Sequence, residues 1–211
     1  MKIGGEIMAN ITNVDYEAIP AQAQQMRSLG QELNSELTTA YQNIANMHNA
    51  WYGKRYNELV KAFNNIIPQI NELLELVVGE IPYALETIAN NYSQADQGSN
   101  VTSAAKTSPN KITDLSISND VGMKFLTGEV ESVKSSVSTN FKNSKEKMNT
   151  IESAYSRIQW QSEASEAFAA KFKQLKQQIT SAFDEIDSQF TTLMEQTLSD
   201  IQATENANTV S

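Results

Sequence analysis

The chain has 211 residues, with 16 Lys and Arg against 25 Asp and Glu, so its formal net charge is −9. This acidic balance argues against nucleic-acid binding and against attraction to anionic lipid, because both surfaces are neutralised by basic side chains. The sequence has no cysteine, which excludes disulfides, thiolate catalysis and cysteine-based zinc sites.

The first helix is predicted from about residue 15 to 47. Apolar residues recur there every three or four positions, as at Met26, Leu29 and Leu33, and this spacing keeps one stripe facing a partner. The N-terminal residues before it have no apolar core long enough for a signal peptide. No window reaches the roughly 18 to 20 apolar residues of a membrane span.

The second helix is predicted from about residue 54 to 96 by the same spacing. Pro68 and Pro82 interrupt its hydrogen bonding, so we expect bends at both positions. The alternative is a division into shorter helices, for which the neighbourhood of Gly79 is the weakest place.

The second half of the chain follows after a change of composition. Residues 97–118 are rich in Ser, Thr, Asn and Gly without a clear period, and they are interpreted as a polar linker. Residues 118–120, "SND", offer an N-cap for a third helix over about 120–158. A fourth helix is predicted over about 163–203, and residues 205–211 are predicted to be a disordered tail.

These four helices predict an all-α fold, an elongated four-helix bundle made of two helical hairpins. One hairpin alone would leave a long apolar stripe in water, and two hairpins packed face to face cover both stripes. The expected units are a first hairpin over 10–96, the linker over 97–118 and a second hairpin over 119–204.

The only two tryptophans mark the predicted turns of the two hairpins, at a spacing of 109 residues. Trp51 falls where the first helix ends, and Gly53 can adopt the positive φ that reverses the chain. Trp160 occupies the equivalent place in the second half, where Ser162 can cap the fourth helix. Each indole can lie over an end of the bundle with its N–H near water.

The motif Trp51-Tyr52-Gly53, centred in a helical hairpin, resembles the small WxG-motif proteins exported by type VII (ESX-type) secretion systems, such as the early secreted antigenic target of mycobacteria. The resemblance covers both halves of the chain as tandem units. The second unit departs from the motif, because Ser162 stands in place of Gly. The family's Y-x-x-x-[DE] export signal is matched by Tyr92 and Asp96 at the end of the first unit.

In the family, two separate chains form an antiparallel pair of hairpins, and the WxG turn of one lies near the tyrosine signal of the other. The resemblance therefore implies that Trp160 and Ser162 approach Tyr92 and Asp96. Residues 97–118 would then cross the length of the bundle, about 60 Å, which is within the roughly 73 Å that such a segment can span.

Candidates for chemistry are few, and the sequence predicts no enzyme, no cofactor and no metal site. His48 is the only histidine and is interpreted as a partner for the carbonyls that end the first helix. Asp184, Glu185 and Asp187 have no imidazole nearby in the sequence, so they are interpreted as a solvated helix face.

The predicted function is that of a non-enzymatic secreted effector, or a targeting partner, of a bacterial type VII secretion system. The resemblance implies synthesis in the cytoplasm and export to the cell surface or medium without a signal peptide. The partners it implies are the secretion ATPase and a larger toxin, another WxG-type protein or a second copy. Two alternatives stay open: an intracellular helical scaffold, and a membrane-active protein that exposes Phe168, Phe172, Phe183 and Phe190.

Overall fold

A computed structural model of the protein describes residues 14–158, 160 and 162–208. Its helices are α1 (Ile19–Met47), α2 (Lys54–Leu74), α3 (Ile81–Gln97), α4 (Thr127–Tyr155) and α5 (Glu163–Asn208). A π-helical segment, Glu75–Glu80, joins α2 to α3, and the short strands β1 (Trp51–Tyr52) and β2 (Lys124–Phe125) pair antiparallel. The predicted all-α bundle of two helical hairpins is confirmed.

The two hairpins lie antiparallel, with α1 along α4 and α2 along α5. Ion pairs at both ends of the contact between α2 and α5 fix this direction. Arg55 pairs with Asp200 at 2.6 Å, and Glu72 pairs with Lys171 at 3.1 Å. The turn of the first hairpin therefore lies at one end of the bundle, and the turn of the second hairpin lies at the other.

A series of aromatic rings joins all four long arms of the bundle in one core. The Tyr41 ring of α1 lies edge-on to Phe63 of α2, with centroids 5.3 Å apart. Phe63 stacks on Phe141 of α4 at 5.6 Å, and Phe141 stacks on Phe183 of α5 at 4.1 Å. Burial raises the pKa of Tyr41, whose hydroxyl donates to the carbonyl of Phe63 at 2.6 Å.

The phenylalanines of the membrane-active alternative belong to this core. Phe172, Phe183 and Phe190 are buried, and Phe168 is partly buried against the same cluster. Exposing these rings would require the two hairpins to separate, which would give up the packing that holds the bundle together.

The π-helical segment lies where the sequence predicted a bend or a break. Pro82 has no N–H to donate to the carbonyl four residues earlier, so regular α-helical bonding cannot continue through it. At Pro68, by contrast, α2 continues without ending. Gly30 of α1 lies so close to the π-helical segment that an added Cβ would be 2.7 Å from Cγ2 of Val78.

Residues 99–123, here called the crossing segment, return in extended form along the first hairpin to the Trp51 turn. Three asparagines of α2 hold its backbone. Asn57, Asn64 and Asn71 each donate their amide to one carbonyl of the crossing segment and accept from the N–H of the same residue. These three residues are called the asparagine ladder below.

The spacing of the asparagine ladder matches the geometry of the two chains that it joins. Its members are seven residues apart on α2, and they hold Ser118, Leu115 and Ile112, which are three residues apart. Seven helical residues rise about 10.5 Å, and three extended residues span about 10 Å. The two chains therefore stay in register along the ladder.

The structure contradicts two sequence predictions about where helices begin and end. Residues 118–120 do not begin a helix, because Asn57 holds Ser118 in the extended segment and Ser118 Oγ accepts from the N–H of Asp120 at 3.0 Å. Helix α4 begins instead at Thr127. At the other end, α5 continues to Asn208, so residues 205–208 are helical where a disordered tail was expected. Residues 10–13, 159, 161 and 209–211 of the predicted units lie outside the described residues.

Gly79→Ala is expected to lower the free energy of unfolding by about 1–3 kcal/mol. A Cβ at this position would lie 2.7 Å from the carbonyl oxygen of Thr107, so the crossing segment would have to move. Urea denaturation followed by circular dichroism measures the change. Gly128→Ala is the matched control, because nothing lies within 4 Å of its added Cβ; equal stabilities of the two variants would contradict the close approach.

Candidate functional site

The turn of the first hairpin is built around Trp51. Its side chain is only 1% exposed, so the indole is packed into the bundle at the turn. The ring lies edge-on to Phe125 at 5.3 Å and stacks on Phe190 at 6.0 Å. Both phenylalanines belong to the second half of the chain, so Trp51 joins the two hairpins.

Gly53 reverses the chain immediately before α2. Its φ is 122° and its ψ is −172°, a conformation essentially restricted to glycine. The predicted positive φ is confirmed. The turn is also crowded, because an added Cβ would lie 3.3 Å from the carbonyl oxygen of Gly122.

The turn of the second hairpin is stabilised by two serines where the first has a glycine. Ser162 Oγ accepts from the N–H of Ser165 at 3.1 Å, and Ser165 Oγ accepts from the N–H of Ser162 at 3.0 Å. This reciprocal pair caps the start of α5, as predicted for Ser162. Trp160 is 7% exposed, and its ring centroid lies 6.1 Å from that of Phe168.

Tyr92 and Asp96 lie in the last turns of α3, at the end of the bundle opposite Trp51. The Tyr92 side chain is 37% exposed. The Asp96 carboxylate accepts from the hydroxyl of Tyr16, and this hydrogen bond raises the pKa of Tyr16. Gln97 Nε2 also donates to that hydroxyl, at 2.8 Å. Asp96 is thus fastened to the residues that precede α1.

Trp160 meets α3 about one turn before Tyr92. A shallow apolar pocket there is lined by Trp160 and Phe168 from the second hairpin and by Ala84, Thr87 and Ile88 from α3. The structure therefore brings the second tryptophan to the helix that carries the Y-x-x-x-D pattern. The contact involves residues just before that pattern, whereas Asp96 is bonded to Tyr16.

Sequence reasoning missed a buried ion pair between α1 and α3. Arg27 and Glu86 are both buried and form a two-point contact, with Arg27 Nη2 at 2.7 Å from Glu86 Oε2. The hydrogen bond to Glu86 raises the pKa of Arg27. Arg27 Nη2 also donates to the carbonyl of Ala105 at 2.9 Å, so the pair holds the crossing segment as well as the two helices.

His48 ends α1 and faces the crossing segment. Its Nε2 lies 3.0 Å from Ser118 Oγ and 2.6 Å from Asp120 Oδ2. Both contacts use one ring nitrogen, whereas a Ser-His-Asp relay uses the two nitrogens separately. Hydrogen bonds from Ser118 and from His48 lower the pKa of Asp120. The arrangement fastens the crossing segment to the end of α1.

Asp184, Glu185 and Asp187 were predicted to form a solvated face of α5, but Asp184 and Asp187 contact side chains of α4. Lys145 pairs with Asp184, and Ser138 donates to Asp187, which also lies 3.8 Å from Lys134. Among the residues that the structure describes, no group of three or more His, Asp or Glu side chains could hold a metal ion. Within the same residues, no helix is sufficiently long and apolar to span a membrane.

Residues 11–97 match the model of a protein family, WXG100, described as proteins of 100 residues with WXG. The matched range corresponds to the first hairpin and includes Trp51, Tyr52 and Gly53. The resemblance predicted from these residues is confirmed, and the match does not extend to the second hairpin. None of the curated proteins and none of the solved structures matches the chain.

Proposed function

We propose, from the match of residues 11–97 to the WXG100 family model, that this protein is a non-enzymatic substrate or targeting partner of a type VII secretion system. The family match associates the chain with type VII secretion and with small helical proteins that such systems export.

The observation that carries the proposal is the antiparallel packing of a second hairpin on the WXG100-type unit. In the family, a separate chain supplies the second hairpin. Here the ion pairs between α2 and α5 and the contacts of Trp51 with Phe125 and Phe190 hold a second hairpin from the same chain in an antiparallel position. The protein would then reach the secretion system as a prefolded bundle.

The proposed export surface consists of Tyr92, Asp96 and the Trp160 turn. Tyr92 is exposed, Asp96 lies one helical turn beyond it, and Trp160 packs beside the preceding turn of α3. An exposed aromatic ring and a carboxylate on one helix, next to a hairpin turn, form a surface that the secretion ATPase could bind. Trp51 and Gly53 contribute indirectly, by holding the two hairpins together.

The proposed route leads from the cytoplasm to the cell surface or medium without a signal peptide. On arrival the protein acts through protein–protein contacts, as an effector or as an adaptor for a larger toxin. Another WxG-type protein or a second copy of the chain are the other partners that this class of bundle would bind.

Tyr92→Ala and Asp96→Asn are each expected to abolish or strongly reduce export. The measurement is the amount of protein in the culture supernatant relative to the cell pellet, in the producing bacterium with its type VII system intact. Asp96→Asn keeps an oxygen that can accept from Tyr16 and removes the charge, so a loss of export would be assigned to the carboxylate.

Two matched controls distinguish the loss of the proposed export signal from a disturbance of the fold. Leu126→Ala removes a large side chain that is 41% exposed beside the Trp51 turn, at the opposite end of the bundle from Tyr92, and Tyr16→Phe removes the hydrogen bond to Asp96. Both are expected to be exported like the parent. Unchanged export of Tyr92→Ala and Asp96→Asn would contradict the proposed signal, and absence of the parent from the supernatant would contradict the proposed function.

A further inference from the structure

We propose that the first hairpin carries a binding groove for an extended polypeptide, and that the crossing segment is its resident ligand. The ligand class is a segment of a partner protein with apolar side chains three residues apart, which would displace residues 108–118 from the groove. This inference rests on the groove alone and does not depend on export.

The asparagine ladder recognises peptide backbone. Asn64 Nδ2 donates to the carbonyl of Leu115 at 2.9 Å, and the N–H of Leu115 donates to Asn64 Oδ1 at 2.8 Å. Asn71 forms the same pair of bonds with Ile112, both at 2.9 Å. Each amide thus replaces the neighbouring strand that an extended peptide would otherwise pair with, in the manner of strand addition.

The groove buries few side chains of the segment that it holds. Within residues 99–123, all of which the structure describes, Ile112 is the one buried side chain, and Leu115 is partly buried against the core. Asn34 of α1 donates to the carbonyl of Asn110 at 3.0 Å from the other wall. Backbone clamps combined with two apolar positions define a ligand by its shape and by the spacing of its apolar residues.

The resident ligand is attached at both ends through glycines with positive φ. Gly98 has a φ of 70° and Gly122 a φ of 102°, and an added Cβ at either would meet nothing within 4 Å. Beside Gly122, the side chain of Val121 is 98% exposed. Attachment gives the resident segment an effective concentration on the order of millimolar. A free segment can therefore compete with it when the Kd of the free segment for the groove is much lower than the Kd of the resident segment.

The test uses a fluorescent peptide of residues 108–118 and the full chain carrying Ile112→Ser and Leu115→Ser, which weakens the resident ligand and leaves the ladder intact. Fluorescence anisotropy is expected to show binding at least about tenfold tighter than to the parent chain. Adding Asn64→Ala removes two hydrogen bonds and is expected to weaken binding by about tenfold. A peptide with Ser at both apolar positions is expected not to bind.

The proposal would be overturned if a folded Ile112→Ser/Leu115→Ser chain did not bind the peptide. It would also be overturned if Asn64→Ala left the affinity for the peptide unchanged. A second form of the chain covers the case in which this variant unfolds. Protease sites placed at Gly98 and Gly122 of the parent allow the crossing segment to be cut out of the folded bundle. The excised segment is expected to stay bound and to exchange for labelled peptide; its departure without uptake of labelled peptide would equally overturn the proposal.

Discussion

Arg27→Met is expected to lower the free energy of unfolding by about 3–5 kcal/mol, because it leaves the carboxylate of Glu86 buried without a counter-charge. Glu86 is only 5% exposed, so water cannot replace the lost guanidinium. The carbonyl of Ala105 loses a donor at the same time. Urea denaturation at neutral pH measures the change.

The double variant Arg27→Met/Glu86→Met is expected to recover most of this loss, since two apolar side chains of similar size often replace a buried ion pair without penalty. Lys54→Met is the surface control. Lys54 and Glu58 are 4.0 Å apart and the Lys54 side chain is 92% exposed, so a change below about 0.5 kcal/mol is expected. A double variant no more stable than Arg27→Met would refute the role assigned to the pair.

Trp51→Ala is expected to cost about 3–5 kcal/mol, the range for removing a large aromatic side chain from a core. The lost contacts include Phe125 and Phe190, so the junction between the two hairpins is weakened together with the turn. Differential scanning calorimetry and urea denaturation measure the effect.

Trp160→Ala is the matched comparison, because each variant leaves one tryptophan in the chain. Trp160 lines a shallow pocket open to solvent, so its removal exposes less of a cavity and should cost less than the removal of Trp51. A larger loss for Trp160→Ala than for Trp51→Ala would contradict the assignment of Trp51 to the junction.

The helices of the bundle could be predicted because their signal is periodic and local. Apolar residues at three- and four-residue steps located α1, the arm from α2 to α3, and α5 to within a few residues of their ends. The start of α4 could not be found in this way. It directly follows β2, where Phe125 pairs with Trp51 and the N–H of Leu126 donates to the carbonyl of Ala50 at 2.9 Å, and local spacing carries no information about such contacts.

The contacts between polar side chains and the crossing segment were harder to predict from the sequence than the apolar core. Asn57, Asn64 and Asn71 recur every seven residues on α2, next to the apolar stripe. A polar side chain beside an apolar stripe is usually predicted to face solvent. These three side chains instead form the hydrogen bonds with the crossing segment that a neighbouring strand would form. A search for amides at seven-residue spacing opposite a long polar linker would have pointed to them.

The candidate site was predictable in part for the same reason. Trp51 and Gly53 lie within one tripeptide, so a local motif was sufficient to locate that turn. The neighbours of Trp160 depend on the register between the two hairpins, which is visible in contacts such as that of Glu72 with Lys171. That register placed Trp160 beside Ile88, about one turn short of the expected position.

Two hairpins of one chain pack antiparallel, with their turns at opposite ends of the bundle. Spin labels on Lys54→Cys and Glu163→Cys test it directly, because both sites are exposed and the chain has no other cysteine. With Glu72 beside Lys171 and a rise of 1.5 Å per residue, electron–electron resonance should give one distance of roughly 40 Å. A dominant distance below about 25 Å in spin-diluted samples would place both turns at one end and would contradict the account.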